Sequence, residues 1–359
     1  MRSGLEARIA ELFGYAHAVL FGMARSGVSA LLDALDFRHR PFVIPSNLCP
    51  NLLLTLHAGG AKAVLADADD TCGLPSDSAF VEAMRNGDEV GIVMPTHLYG
   101  FVRDYSMTLR EARSRGWFVL ENDTIATRAR LPGECRKSSG DALVVSFGYA
   151  KGIEAGGGGA MLTDDALLAR ELRSIGKTFP PLDDRAIQTE NEFMIFVRKM
   201  RGSGQLENAL LEKAPPCRFS FPQFLEEPLA RALEGFNGEV EDRFGRMEIW
   251  EQALAPYSDS LLPAGVECAV PWRLIKRVPR FRDEIVNALR AEGIDAGTNF
   301  PSLFASFPTL LAGQEGEGAK RWENEVLNLW LTPRYDRRLI RQAADAIGRI
   351  VSRSDRVMS

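Results

Sequence analysis

Short apolar runs that alternate with amphipathic segments constrain the fold more than any other feature of this sequence. Each run reads as a buried strand, and most are followed by a stretch whose apolar residues recur at helical spacing. These runs lie at residues 18–22, 42–45, 63–67, 90–95, 117–121 and 142–146. Strands joined through helices run parallel, and both faces of their sheet are covered. We therefore predict an α/β fold with a mainly parallel sheet sandwiched by helices.

The pattern changes beyond residue 257, where short strands and two helices predict a smaller α+β domain. We expect a large domain over residues 1–257 and a small domain over residues 258–359. Within the large domain, residues 177–216 contain charged and aromatic residues and several prolines. This segment is predicted to be irregular, with some helix around residues 192–200, and to shape a substrate pocket.

Loops that leave the carboxyl ends of parallel strands converge on one crevice, which is the usual ligand position in such sheets. Ser26, His97, Asn122, Asp123 and Lys151 all lie in or near such loops. We expect His97 to be satisfied by the backbone, with a substrate contact as the alternative.

Lys151 follows the apolar run that ends at Ser146 and precedes four consecutive glycines, residues 156–159. A lysine in this position can be desolvated, which lowers the pKa of its amine as a Schiff-base lysine requires. Taken alone, the stretch also fits a surface lysine on a glycine-rich connection.

The segment around Ser26, Gly27 and Val28 joins a short strand to a helix that is expected from about residue 30. Unpaired N–H groups and the helix dipole at such a junction make an anion site. An ordinary turn capped by Ser26 is the alternative interpretation.

Charge and composition exclude several classes of protein. With a net charge of -5 in 359 residues, we expect neither a nucleic-acid partner nor a membrane partner. The five cysteines are scattered, and the four histidines form no cluster with metal-ligand spacing, so no metal site is predicted. The first residues lack an apolar signal core, which together with the cysteines predicts a cytoplasmic protein.

Several motifs, taken in order along the chain, resemble the DegT/DnrJ/EryC1/StrS family of pyridoxal-phosphate sugar aminotransferases of fold type I. Residues 25–31 are similar to the family's S-G-T-x-A-L, and residues 97–104 are similar to its H-L-Y-G-x-x-x-D. Residues 146–151 match S-F-x-x-x-K, and the glycine run resembles G-E-G-G. No single motif is specific, but their order and spacing together indicate the fold and favour a Schiff-base role for Lys151.

This resemblance implies that pyridoxal 5'-phosphate is the cofactor and that Lys151 is the catalytic residue that bonds to it and moves the proton. It also implies that Ser146 and the backbone N–H groups of Gly27 and Val28 hold the phosphate. A homodimer is implied as well, with glutamate or glutamine as amino donor. The acceptor would be a keto-sugar nucleotide or a related natural-product ketone.

The chain also departs from the family pattern. The aspartate that keeps the pyridine nitrogen protonated falls on Asn122 in an ungapped comparison, and on Asp123 if the strand slips by one residue. The aromatic residue that stacks on the cofactor ring is replaced by Cys49, and the asparagine of N-Y-R by Pro216, shortly before Arg218. Two alternatives follow: a pyridoxal-phosphate enzyme with chemistry other than transamination, and a catalytically silent binding or regulatory homologue.

Overall fold

A computed structural model of the chain describes residues 2–86, 89–125, 127, 140–200, 206–263 and 270–355. Its helices are α1 Arg2–Phe13, α2 Ala24–Ala34, α3 Pro50–Ala58, α4 Asp77–Arg85, α5 Ser106–Arg115, α6 Ala166–Gly176, α7 Asp184–Met200, α8 Leu206–Lys213, α9 Glu226–Glu234, α10 Phe236–Leu254, α11 Arg282–Ala291, α12 Leu303–Ser306, α13 Glu317–Glu325 and α14 Arg337–Asp355. Its strands are β1 His17–Phe21, β2 Pro41–Pro45, β3 Lys62–Ala66, β4 Ile92–Val93, β5 Phe118–Asn122, β6 Ala142–Ser146, β7 Gly159–Thr163, β8 Leu262–Pro263, β9 Arg273–Arg277, β10 Ala296–Gly297 and β11 Val326–Trp330.

The large sheet has the strand order β1-β7-β6-β5-β4-β2-β3. Strand β7 runs antiparallel to both of its neighbours, and the pairs from β6 through β3 are parallel. Its central strands are buried on both faces, as their nearly continuous apolar sequences require. The prediction of a mainly parallel sheet between helices is confirmed.

Parallel order brings the carboxyl ends of β2, β4, β5 and β6 to one edge of the sheet. Because β7 is antiparallel, its first residue, Gly159, lies at the same edge and pairs with Ser146. This edge therefore collects the ends of β5 and β6, the glycine run and the start of α2.

A second sheet, ordered β10-β11-β9-β8, packs with α11 and α14 around its own apolar cluster. Helix α10 contributes Phe236 and Val240 to a cluster of the large sheet, and Trp250 and Leu254 to the cluster of the small sheet. The two cores thus share α10, and the predicted division after residue 257 remains a prediction.

Two local predictions were wrong: the irregular structure of residues 177–216 outside the helix expected at residues 192–200, which is present in α7, and the start of α2. Residues 177–216 contain the helices α7 and α8, and Phe193 and Val197, spaced four apart, pack into the core from α7. Helix α2 begins at Ala24, six residues before the predicted start, and its N-cap is Met23. Residues 26–29 are buried and lie within α2, so they belong to the helix and do not form a separate turn.

None of the described helices is both long enough and apolar enough to cross a membrane.

Candidate functional site

A pocket of about 440 Å³ opens at the sheet edge where the strand ends meet. Its walls come from the end of β5, the end of β6, the glycine run, the starts of α2 and α3, and helix α7. Most of the lining is apolar, with a few polar groups that converge on it, as ligand pockets generally are. The polar side chains among the lining residues belong to Arg25, Cys49, Asn51, Asn122, Thr124, Ser146, Tyr149, Lys151, Glu190 and Asn191.

Two hydrogen bonds fix the backbone of the loop after β6, one at Ala150 and one at Lys151. Ala150 has a φ of 60°, in the left-handed region, and its N–H donates to the Glu154 carboxylate at 2.8 Å. The carbonyl of Lys151 accepts a hydrogen bond of 3.0 Å from the buried guanidinium of Arg243 on α10. These contacts fix the direction in which the lysine side chain leaves the loop and enters the pocket.

Burial lowers the pKa of the Lys151 amine from 10.5 to about 8, because the charged form loses its hydration. The Arg273 guanidinium, stacked between the rings of Trp272 and Trp330 at 4.0 and 3.6 Å, lowers that pKa further. A Cys49 thiolate would act in the opposite direction, but burial raises the pKa of the Cys49 thiol, so this group stays neutral near pH 8. The prediction of a desolvated lysine fits this geometry.

The start of α2 lies directly against the glycine run. A β-carbon placed on Gly159 would lie 2.5 Å from the backbone nitrogen of Ala24, so only glycine allows this approach. Ser146 pairs with Gly159 across the sheet and borders the same pocket. The start of α2, where the Ser26 N–H donates to the Met23 carbonyl at 3.1 Å, and the Ser146 hydroxyl thus border one region. The positive end of a helix dipole there suits an anion.

Gly27 and Val28 lie within α2 and not at its start, which follows Met23. Gly27 lies inside the helix, where a β-carbon would come within 2.6 Å of the Met161 side chain, so its role is close packing. Val28 borders the pocket with its side chain, but its N–H also falls within the helix. The phosphate contact predicted for Gly27 and Val28 stays a prediction, and the start of α2 lies three to four residues upstream of them.

Asn122 is the last residue of β5, and Asp123 follows it directly. Neighbouring side chains at a strand end point to opposite faces. Asn122 borders the pocket, and its Oδ1 accepts from the Thr124 N–H at 3.0 Å, which leaves the amide nitrogen as the donor it can offer a ligand. Asp123 is buried and is absent from the lining found among the described residues. The ungapped assignment of Asn122 to the pocket agrees with this placement, and its contact with a cofactor stays a prediction.

His97 lies outside this lining and is buried, with its Nδ1 accepting from the Arg103 N–H at 3.4 Å. Its Nε2 is 3.7 Å from the carboxylate of Glu121, which in turn accepts from the Gly140 N–H at 2.7 Å. These contacts agree with the structural role expected for His97. Arg218 contacts Asp33 at 2.9 Å within the same chain.

Sequence reasoning missed Arg25 and the α7 residues Glu190, Asn191 and Met194, which form one wall of the pocket. The spacing of apolar residues around Phe193 indicated the helix, but no local pattern indicated that it crosses the pocket.

Comparisons with known proteins agree with this architecture. A sequence model of the DegT/DnrJ/EryC1/StrS aminotransferase family matches residues 2–195. The dTDP-3-amino-3,4,6-trideoxy-alpha-D-glucose transaminase of Micromonospora megalomicea subsp. nigra is 28% identical over 304 residues, covering 82% of this chain and 73% of that protein. The UDP-N-acetyl-3-dehydro-alpha-D-glucosamine 3-aminotransferase of Acidithiobacillus ferrooxidans is 30% identical over 175 residues, 48% of this chain and 46% of that protein.

Among solved structures, DesI in the presence of its TDP-sugar product aligns with a TM-score of 0.77 and 21% identity. The alignment covers 99% of this chain and 86% of that chain, so the two share the fold. The family match spans the strand ends, the glycine run and Lys151, and the resemblance seen in the sequence motifs is confirmed. This chain belongs to the DegT/DnrJ/EryC1/StrS aminotransferase family.

Proposed function

We propose that this enzyme uses pyridoxal phosphate to transfer an amino group to a keto-sugar nucleotide or a related natural-product ketone, with glutamate or glutamine as donor. The observation that carries the proposal is the Lys151 amine, which enters a largely apolar pocket with its pKa lowered to about 8. The relatives named as sugar transaminases support this choice of acceptor.

The residues around the pocket fit the cofactor. The start of α2, the backbone at Gly159 and the Ser146 hydroxyl would hold its phosphate. Val144 and Cys49 offer apolar contacts for the ring, and Asn122 offers an amide to its nitrogen. When bound, pyridoxal phosphate supplies an electron-withdrawing ring that stabilises negative charge on the substrate carbon.

Lys151 would perform two tasks in this reaction. Its neutral Nζ is the nucleophile that would hold the cofactor. A pKa of about 8 leaves about 9% of the amine neutral at pH 7 and about half at pH 8. When it is not bonded to the cofactor, the same Nζ would serve as the base that accepts a proton from the substrate carbon and as the acid that returns a proton. The contacts of Glu154 with the Ala150 N–H and of Arg243 with the Lys151 carbonyl would fix the backbone from which that side chain extends.

A second candidate function is favoured by Asn122. A neutral amide can hydrogen-bond a pyridine nitrogen, but it adds no negative charge that would raise the pKa of that nitrogen. The ring would then withdraw electrons less strongly, which favours pyridoxal-phosphate chemistry that needs less carbanion stabilisation. A catalytically silent homologue is the remaining alternative, and the desolvated Lys151 argues against it.

Visible absorbance of the protein mixed with pyridoxal phosphate tests the proposal. The wild type should show the band of lysine-bound cofactor, Lys151→Ala should abolish it, and the exposed-site control Lys177→Ala should retain it. Absence of the band at every cofactor concentration would reject both enzyme functions.

Conversion of the bound cofactor by glutamate separates the two enzyme functions. Transamination predicts conversion by the wild type, whereas the alternative predicts little conversion until Asn122→Asp restores a charge at the ring nitrogen. Loss of conversion in Asp123→Asn alone would show that the neighbouring carboxylate is the group at the nitrogen. The proposed homodimer is checked by light scattering on the same preparations.

A further inference from the structure

Arg25 on the first turn of α2 and Glu190 in the middle of α7 form an ion pair at the pocket. Arg25 Nη1 donates to Glu190 Oε1 at 2.8 Å, and Nη2 donates to Oε2 at 2.5 Å. Their side chains are only 11% and 23% exposed. Arginine binds carboxylate and phosphate ligands through bidentate ion pairs of this kind.

Asn51 on α3 adds a third hydrogen bond to the same carboxylate, from Nδ2 to Oε1 at 2.6 Å. Within the described part of the chain, buried Arg25 Nε and Asn51 Oδ1 have no hydrogen-bond partner. Side chains from α2 and α3 thus bind the Glu190 carboxylate as they would bind a ligand. One donor of Arg25 and one acceptor of Asn51 are left without a partner.

The same pocket contains the uncapped start of α2, where Met23 makes no side-chain hydrogen bond to the helix. Ala24, at that start, lies against Gly159, which pairs with Ser146. Backbone N–H groups, a hydroxyl and a guanidinium therefore border one space. A phosphate monoester suits this donor set better than a carboxylate, because it has three terminal oxygens and a charge of roughly -1.5 to -2.

We infer that the Arg25 guanidinium binds the phosphate group that enters this pocket. In the absence of phosphate Arg25 is paired with Glu190, and the phosphate displaces the Glu190 carboxylate when it binds. The identity of the ligand as the cofactor's phosphate rests on the proposed function. The exchange itself requires only a phosphate monoester. Since Glu190 is carried by α7, binding of the phosphate is coupled to release of this helix from α2.

Pyridoxine 5'-phosphate is the probe of choice, because it lacks the aldehyde and binds without bonding to Lys151. Its dissociation constant is measured by calorimetry for the wild type, Glu190→Gln, Arg25→Met and the double variant. The matched control is Glu192→Gln, an exposed carboxylate on the same helix. Circular dichroism and thermal melting verify that each variant is folded.

Removing the competing charge in Glu190→Gln should tighten binding by about tenfold, a change of about 1.4 kcal/mol. Arg25→Met should weaken binding by about tenfold or more, the double variant should resemble Arg25→Met, and Glu192→Gln should match the wild type. A weaker or unchanged affinity in folded Glu190→Gln would overturn the inference, and it does not depend on whether Arg25→Met folds.

Further ligands identify the bound group. Inorganic phosphate should gain affinity in Glu190→Gln, whereas pyridoxine, which has no phosphate, should not. A gain for glutarate without a gain for phosphate would make Arg25 a carboxylate site and overturn the phosphate assignment. Lys151→Ala separates this inference from the proposed function: a persistent effect of Glu190→Gln in that background supports the exchange even if no transamination is found.

Discussion

Replacing Lys151 by methionine should stabilise the cofactor-free protein near neutral pH. Burial lowers the amine's pKa from 10.5 to about 8, so the folded chain pays a penalty for holding the proton that the unfolded chain does not. A difference of about 2.5 in pKa corresponds to roughly 3 kcal/mol in favour of the unfolded state below pH 8. Methionine keeps the apolar stem and removes the charge, so it removes this penalty.

The sign follows from proton binding. Between pH 8 and 10.5 the unfolded chain binds more protons at this position than the folded chain, so the wild type gains stability as pH rises. Lys151→Met should therefore exceed the wild type in free energy of unfolding by about 3 kcal/mol at pH 7, and by only about 1 kcal/mol at pH 9.5. The exposed-site control Lys177→Met should change stability by less than about 0.5 kcal/mol at both pH values.

Urea denaturation of the three proteins at both pH values measures these differences, and the rate of bonding to pyridoxal phosphate gives a second readout. At pH 8 about half of an amine of pKa 8 is neutral, compared with about 0.3% of an ordinary lysine. The bonding rate should therefore level off above pH 8. If the rate instead keeps rising toward pH 10, and Lys151→Met gains no stability at pH 7, then the amine is hydrated and the reasoning is refuted.

Two further predictions concern the architecture around the pocket. Gly159→Ala should destabilise the protein by about 1–3 kcal/mol and weaken phosphate binding, because its β-carbon would overlap the Ala24 backbone. The control Gly238→Ala has open space around it in α10 and should be neutral or stabilising. Urea denaturation and calorimetry measure both variants. Tyr99→Phe should cost about 2–3 kcal/mol in urea denaturation, because the buried hydroxyl accepts from Trp322 Nε1 at 2.8 Å and from the Phe300 N–H at 3.0 Å. An unchanged midpoint for Tyr99→Phe would mean that both donors find other acceptors.

The strand-helix rhythm and the position of Lys151 could be predicted from sequence, because both depend on patterns that are local in the chain. A buried strand shows its burial in its own apolar residues, and a lysine between such a strand and a glycine run is marked by its neighbours. Asn122 could be assigned to the pocket only through the resemblance, by an ungapped comparison with the family motifs on either side of it.

Other features required contacts between residues far apart in sequence. Arg25 and Glu190 are 165 positions apart, and nothing near either residue indicates the other. The start of α2 was misplaced because the small residues around Gly27 resemble a turn, whereas packing against Met161 places them inside a helix.

The sequence by itself determined which segments are buried strands and which lysine follows the strand that ends at the pocket. Both depend on the spacing of apolar residues and glycines within a short stretch of the chain. Only the tertiary structure decided which charges meet there. The crossing of α7 over the start of α2, and the stacking of Arg273 near Lys151, depend on how distant elements pack to bury their apolar faces. That packing sets the pKa of the amine and pairs Glu190 with Arg25.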